Sequence, residues 1–175
     1  NNPAQTLYEN SMMAWRILQI SQRQRALKRL FFTSTSEVYA ETLRQSGLEI
    51  PTPENTPITL INASNPRSTY FLSKIWGEAI FHHSGLPCFI LRPHNIYGPR
   101  MGMRHVIPEL LKRAHNLHND EYLEVLSPSH TRAFCYIEDT IIFLLKLMEK
   151  ESASDISTFN IGNSREEISM RNLAF

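Results

Sequence analysis

The sequence predicts an α/β fold, with strands buried in a parallel sheet and helices between them. Leu30-Phe31-Phe32-Thr33-Ser34 opens with consecutive apolar residues rather than an alternating pattern, which favours a strand buried on both faces, as in a parallel sheet. Pro87 to Leu91 is a second run of the same kind. Helical patterns separate and follow these runs, and strand, helix, strand, helix is the order from which such sheets are built.

Each element has a local reason. Pro3 suits the first turn of a helix with Asn2 as its cap, and Leu7, Met12, Trp15 and Leu18 supply an apolar face through about Ile20. Gln22-Arg23-Gln24-Arg25 reads as a solvated basic connector. Residues 41 to 66 read as a loop, with Pro51, Pro53, Pro57, Pro66 and the polar stretch Asn62-Ala63-Ser64-Asn65. A loop of that length is functional or disordered. A helix is expected from about Ser68 to His83, ended by Ser84-Gly85, with Leu72, Trp76 and Phe81 as packing residues. After the second strand, Arg92 to Arg100 reads as a loop at its carboxyl end. The remainder predicts a helix over about Ile107 to Leu117 and short strands at Leu123 to Leu126 and Ala133 to Ile137. An amphipathic helix follows at Asp139 to Glu149, with Ile141, Leu144, Leu145 and Met148 inward. A strand at Thr158 to Ile161 and the start of a helix at Ser169 complete the chain.

At 175 residues, with 42% hydrophobic and 20% charged residues, the chain is large enough for a core of its own. Eighteen basic residues against 17 acidic ones leave a net charge of +1, which gives no case for nucleic acid or an anionic membrane as partner. No apolar run approaches the ~20 residues of a membrane span. The polar start Asn1-Asn2-Pro3 lacks the pattern of a signal peptide, so a cytoplasmic location is expected. Cys88 and Cys135 lie in apolar runs and read as buried thiols in a reducing compartment. His115 and His118 form a metal-like pair with no third ligand in view, and surface histidines are the simpler reading; no metal is expected.

Tyr70 and Lys74 stand four apart and so share one helix face. A phenol with a pKa of about 10 is a poor base at neutral pH, but a neighbouring ammonium favours the phenolate and is expected to lower that value. Tyr70 can then take a proton from a substrate hydroxyl, while Thr35 hydrogen-bonds the same oxygen. Alone, the pair is a weak signal, and a surface tyrosine lying over a lysine stem is the simpler reading.

Five motifs follow in order: Thr33-Ser34-Thr35-Ser36-Glu37-Val38-Tyr39; Tyr70-x-x-x-Lys74; Leu91-Arg92-Pro93-His94-Asn95-Ile96-Tyr97-Gly98-Pro99; Thr131-Arg132-Ala133-Phe134-Cys135-Tyr136-Ile137-Glu138-Asp139; and Phe159-Asn160-Ile161-Gly162-Asn163. The series resembles the extended short-chain dehydrogenase/reductase superfamily of NAD-dependent nucleotide-sugar epimerases, dehydratases and decarboxylases. The resemblance implies the second part of a Rossmann-type doubly wound parallel sheet, plus part of a smaller C-terminal substrate-binding region. Residues 1–100 would carry the end of the dinucleotide-binding domain, and 101–175 a mixed substrate-binding region with returning sheet elements. It implies that Tyr70 is the base, that Lys74 tunes it and holds the nicotinamide ribose, and that Thr35 is the partner hydroxyl. Ser34 and Pro93 would stand against the cofactor. Asn95 and Arg132 would meet the sugar diphosphate, and Ile107 and Pro108 the nucleotide base. For Arg132 a surface ion pair with Glu138 or Asp139 is the other reading.

Glu37 matches dehydratases and uronate decarboxylases of the superfamily, where such a residue is a second base. Ser36 stands where many 4,6-dehydratases carry an acidic residue, which argues against that reaction. The segment Arg92 to Leu110 looks more like epimerases and dehydratases of polysaccharide gene clusters, so the reaction stays open among 4-epimerisation, 4,6-dehydration and uronate decarboxylation. The cofactor implied is NAD, with NADP not excluded, and the partner a nucleotide-diphosphate sugar. A homodimer through the helices of Asn10 and Tyr70 is the family's habit. The glycine-rich phosphate turn of the family has no counterpart among Gly47, Gly77, Gly85, Gly98, Gly102 and Gly162. The sequence therefore reads as a fragment, expected on its own neither to turn over nor to bind NAD tightly. A non-catalytic nucleotide-binding relative and a carbonyl reductase are the competing readings.

Overall fold

The computed structural model describes residues 2–60, 63–118, 121–150 and 156–175. Asn1, and Asn62 of the polar loop stretch, lie outside the described residues. In chain order the elements are α1 (Pro3–Gln22), β1 (Leu30–Thr33), a 3₁₀ turn (Ser36–Tyr39), α2 (Ala40–Ser46), α3 (Ser68–His82), β2 (Cys88–Pro93), β3 (Ile96–Tyr97), α4 (Val106–His115), β4 (Thr131–Arg132), β5 (Cys135–Tyr136), α5 (Ile137–Glu149), β6 (Ser157–Ile161), β7 (Ile168–Ser169) and α6 (Met170–Leu173). They form two compact units. One contains Asn1–Pro93 and Lys146–Ile161; the other contains His94–Leu145 and Gly162–Phe175.

The first unit is built on the three-stranded sheet β1-β2-β6, parallel throughout, with Thr33 opposite Leu91 and Leu91 opposite Phe159. Helix α1 starts where the Asn2 carboxamide accepts from the amides of Ala4 (3.1 Å) and Gln5 (3.3 Å), with Pro3 directly after the cap. That arrangement satisfies two of the donors a helix start leaves unpaired. Ala14 and Leu18 of α1, Phe81 of α3, and Cys88 and Ile90 of β2 form a buried cluster, with Leu30, Phe32 and Ile80 packed around it. Helix α3 lies close against β1: a methyl added at Gly77 would come within 2.3 Å of the Phe32 ring, so only glycine permits this approach.

The fold departs from the sequence pattern in several places. The apolar run of β2 is buried throughout, but β1 is half-buried rather than covered on both faces, because it is an edge strand of this sheet. Residues 41–46, read as loop, lie in α2, which ends at Gly47 with φ of 76°; seven residues are too few for a helical period to stand out. Trp76, expected to pack, is 39% exposed, whereas Phe81 is buried. Both cysteines are buried and free.

In the second unit the ladders are short: β3 pairs with β5 in parallel, and β4 with β7 antiparallel. The loop before Gly98 packs on the start of α5, where a methyl at Gly98 would fall 2.3 Å from Ile137. No strand forms over Leu123 to Leu126. Strands exist through partners, and there the Glu124 carbonyl accepts from the Arg113 guanidinium at 2.6 Å instead. Helix α5 does not bury the expected face. Ile141, Leu145 and Met148 are exposed, while Thr140 and Leu147 are buried. The apolar residues span more than half of the helix circumference opposite Glu138, Asp139, Lys146 and Glu149, so the pattern fixes a helix but not which part of that face is covered. Among the described residues no helix is long and apolar enough to cross a membrane.

Candidate active site

The first unit concentrates its polar side chains at the carboxyl ends of β1, β2 and β6, the end where open parallel sheets bind ligands. β1 ends at Thr33 and the chain turns at once into the 3₁₀ segment. Thr35 caps that segment, its hydroxyl accepting from the Glu37 amide at 3.2 Å. Helix α3 brings Tyr70 and Lys74 to the same strand end. The Lys74 ammonium donates to the Thr33 carbonyl at 2.8 Å and lies 5.8 Å from the centre of the Tyr70 ring. The Thr35 side chain is near enough to the Tyr70 phenol to act on its pKa. Thr35, Tyr70 and Lys74 are thus one cluster.

The electrostatics differ from expectation in one respect. Lys74 was expected to pull the Tyr70 pKa down, but Tyr70 stands above its ordinary value. Burial raises it most, the Thr35 hydrogen bond lowers it, and the Glu37 charge raises it again. The Lys74 ammonium sits over the ring rather than at the phenolic oxygen, and it is turned to the Thr33 carbonyl. Burial in turn lowers the pKa of Lys74 itself.

Glu37 is exposed on the 3₁₀ turn, with Ser36 half-buried beside it. Glu37 lines a cavity of about 110 Å³ whose walls include Glu41, Arg44, Asn65, Arg67 and Phe71. Ser34, expected against the cofactor, is turned inward. It is buried and its hydroxyl donates to the Glu78 carboxylate. Pro93 closes β2 opposite Ile161.

The other expected residues belong to the second unit. Asn95 has a φ of 43°, a left-handed conformation that asparagine tolerates. Its carboxamide donates to the Ala133 carbonyl at 3.1 Å, and its own carbonyl accepts from the Cys135 amide at 3.2 Å. Asn95 therefore ties its loop to β5. Arg132 is exposed on β4, opposite Ile168. Ile107 and Pro108 are half-buried on the first turn of α4. A cavity of about 80 Å³ there is walled by Val106, Glu109, Leu110, Arg113, Val125, Leu126 and Met170 rather than by those two.

Sequence reasoning missed the buried polar residues beneath the cluster. Arg92 donates to Glu78 through Nε (2.9 Å) and a terminal nitrogen (2.6 Å), and both side chains are about 95% buried, with 6% and 5% exposure. The other terminal nitrogen donates to the Tyr39 hydroxyl and, at 3.0 Å, to the Glu54 carbonyl. Burial acts to lower the Arg92 pKa, but Glu78 and Tyr39 outweigh it, so the guanidinium is held charged. A signal was present: Glu78 continues the four-residue spacing of Tyr70 and Lys74, and Arg92 follows four apolar residues in a buried strand, where a charge calls for a partner.

Against known proteins, residues 1–162 match a family model described as the NAD dependent epimerase/dehydratase family. UDP-glucuronic acid decarboxylase 3 of Arabidopsis thaliana is 33% identical over 172 residues, 94% of this chain and 46% of that protein. A solved UDP-glucuronic acid 4-epimerase from Bacillus cereus, in complex with UDP-glucuronic acid and NAD, superposes with a TM-score of 0.74 at 26% identity. That match covers 93% of this chain and 48% of the other. An NAD dependent NDP-hexosamine 5,6-dehydratase, TunA, superposes at 0.72 with 25% identity, covering 96% and 50%. The chain thus spans about half the length of the relatives it matches.

Proposed function

The chain belongs to the NAD dependent epimerase/dehydratase family, and we propose that it supplies the proton-transfer site of an enzyme that modifies a nucleotide-diphosphate sugar through a transient keto-sugar. The observation that carries this reading is the cluster of Thr35, Tyr70 and Lys74 at the end of a parallel strand, with Lys74 bonded to that strand and lying over the Tyr70 ring. Tyr70 takes the proton of a sugar hydroxyl, and Thr35 hydrogen-bonds the same oxygen, orienting it. The Thr33 carbonyl takes one of the three protons of the Lys74 ammonium, so the group has donors for a ribose diol; this is the arrangement that fits a dinucleotide here. NAD, when bound, supplies the hydride acceptor. The chain's own residues orient the sugar and move the proton at the Tyr70 oxygen.

Glu37 is the residue on which the reaction turns. A carboxylate on the rim of the site, beside a cavity that also holds Arg67 and Asn65, suits a second base acting on the carbon next to the transient ketone. Arg132, exposed on β4, suits a diphosphate, which a planar fork of donors binds well. A homodimer through α1 and α3 belongs to the same reading. Tyr8, Met13, Trp15, Ile17 and Ile20 on α1 and Trp76 on α3 are exposed, more apolar surface than single helices usually leave uncovered.

The test is product analysis by NMR after incubating the full-length protein with NAD and, in turn, UDP-glucuronic acid, UDP-glucose and GDP-mannose. Conversion of one of them, lost in a Tyr70→Phe variant, is the expected result. No conversion of any nucleotide sugar, or undiminished conversion by Tyr70→Phe, rejects the reading.

A further inference from the structure

Tyr70, Lys74 and Glu78 are spaced four apart on α3 and form one stripe. Its members face three consecutive residues at the end of β1. Lys74 takes the Thr33 carbonyl and Glu78 the Ser34 hydroxyl, while Thr35 stands near the Tyr70 phenol. The middle contact is the buried one: Ser34 is 2% exposed and Glu78 is 4% exposed. Glu78 is itself fixed by the two-bonded grip of Arg92 from β2.

The bonds continue outward from Arg92. Tyr39, which Arg92 contacts, ends the 3₁₀ turn that carries Glu37, and its hydroxyl donates to the Asn160 carboxamide oxygen on β6 at 3.1 Å. The Asn160 amide donates to the Glu54 carboxylate at 2.9 Å, and the Asn160 side chain donates to the Thr52 carbonyl at 2.8 Å. One set of bonds thus joins all three strand ends, α3, the 3₁₀ turn and the loop at 52–54. A buried ion pair is a costly way to gain stability, since desolvation offsets most of its attraction. What it fixes is geometry.

We infer that Glu78 and Arg92 are a positioning pair: through Ser34 they hold the strand end that presents Thr35 to Tyr70, and through Tyr39 they hold the turn that presents Glu37. The inference rests on the proton-transfer role proposed for Tyr70. Neither residue touches substrate; both act through the groups they hold.

The experiment uses the full-length protein with NAD and three variants: Ser34→Ala, Glu78→Gln and, as reference, Tyr70→Phe. Ser34→Ala removes a single hydroxyl and carries the test even where Glu78→Gln fails to fold. For both positioning variants kcat is expected to fall about ten-fold through misplacement, with KM for the nucleotide sugar within about two-fold. The pH limb of kcat set by Tyr70 is expected to move up by about half to one unit, the worth of one hydrogen bond. The Tyr70 titration, read without turnover as the phenolate absorbance of each protein minus that of its Tyr70→Phe counterpart, is expected to move the same way. Wild-type kcat, pH limb and titration in a folded Ser34→Ala protein overturn the inference, even where melting shifts. Should Tyr70→Phe keep full turnover, or the wild type turn over no nucleotide sugar, the functional reading fails instead, and this one with it.

Discussion

The rim and the floor of the site in the first unit are made by the same helix on the same stripe, yet they are held in different ways. At the rim, Tyr70 is 38% exposed, with Thr35 near its phenol. On the floor, Glu78 and Arg92 are buried and bonded on both carboxylate oxygens and all three guanidinium nitrogens. A group that must exchange a proton needs access and a displaceable partner. A buried charge cannot be left short of partners, because an unmet charge in the interior costs several kcal/mol. On the proposed reading, the chemistry sits where the packing is loose, and the precision comes from where it is tight.

The largest expected effects fall on the two ends of this contrast. Tyr70→Phe is expected to lower kcat by about 10²- to 10⁴-fold, the usual worth of a positioned acid–base group, while the urea midpoint stays near that of the wild type. Glu78→Ala reverses that profile. Leaving Arg92 charged and unpaired is expected to cost about 3–5 kcal/mol in urea unfolding, and a second change, Arg92→Met, is expected to return much of it. If Glu78→Ala were neutral in unfolding, the floor would be no tighter than the rim.

Gly77→Ala tests the approach of α3 to β1 that both rim and floor depend on. A methyl placed 2.3 Å from the Phe32 ring is expected to destabilise by about 1–3 kcal/mol, measured by the same unfolding curves. The smallest displacement is electrostatic. The Thr35 hydrogen bond lowers the Tyr70 pKa against burial and the Glu37 charge, which raise it. A base acts deprotonated, so activity rises with pH through that pKa. In Thr35→Val the rising limb is expected at higher pH than in the wild type, and in Glu37→Gln at lower pH. A pH profile of kcat/KM reads both, and shifts of the opposite sign would break the assignment of Tyr70 as the titrating group.

Much of this was legible in the chain. Tyr70 and Lys74 announce themselves because four-residue spacing on a helix is local geometry, and Thr35 because it stands two residues past the end of an apolar strand run. The α3 boundaries and β2 follow from proline, glycine and continuous apolar stretches. Less legible was α5, whose apolar face is wider than one contact covers, so which part is buried depends on what it packs against rather than on its own pattern. Leu123 to Leu126 looks like a strand by composition, but a ladder needs a neighbour with free carbonyls and amides, and Arg113 engages the Glu124 carbonyl instead.

By itself the sequence determined the α/β class, the main helices and the buried strand runs, and it put Tyr70 and Lys74 on one helix face, since each depends on residues close together in the chain. Only the tertiary structure decided that Lys74 turns to the Thr33 carbonyl, that Ser34 faces Glu78 rather than the open end of the sheet, and that Arg92 joins residues as far away as Tyr39, 53 positions earlier. Those choices rest on burial and on partners brought together from distant segments. Such pairings cannot be read from spacing, because a charged side chain in a strand says only that it needs a partner, not which one it will find.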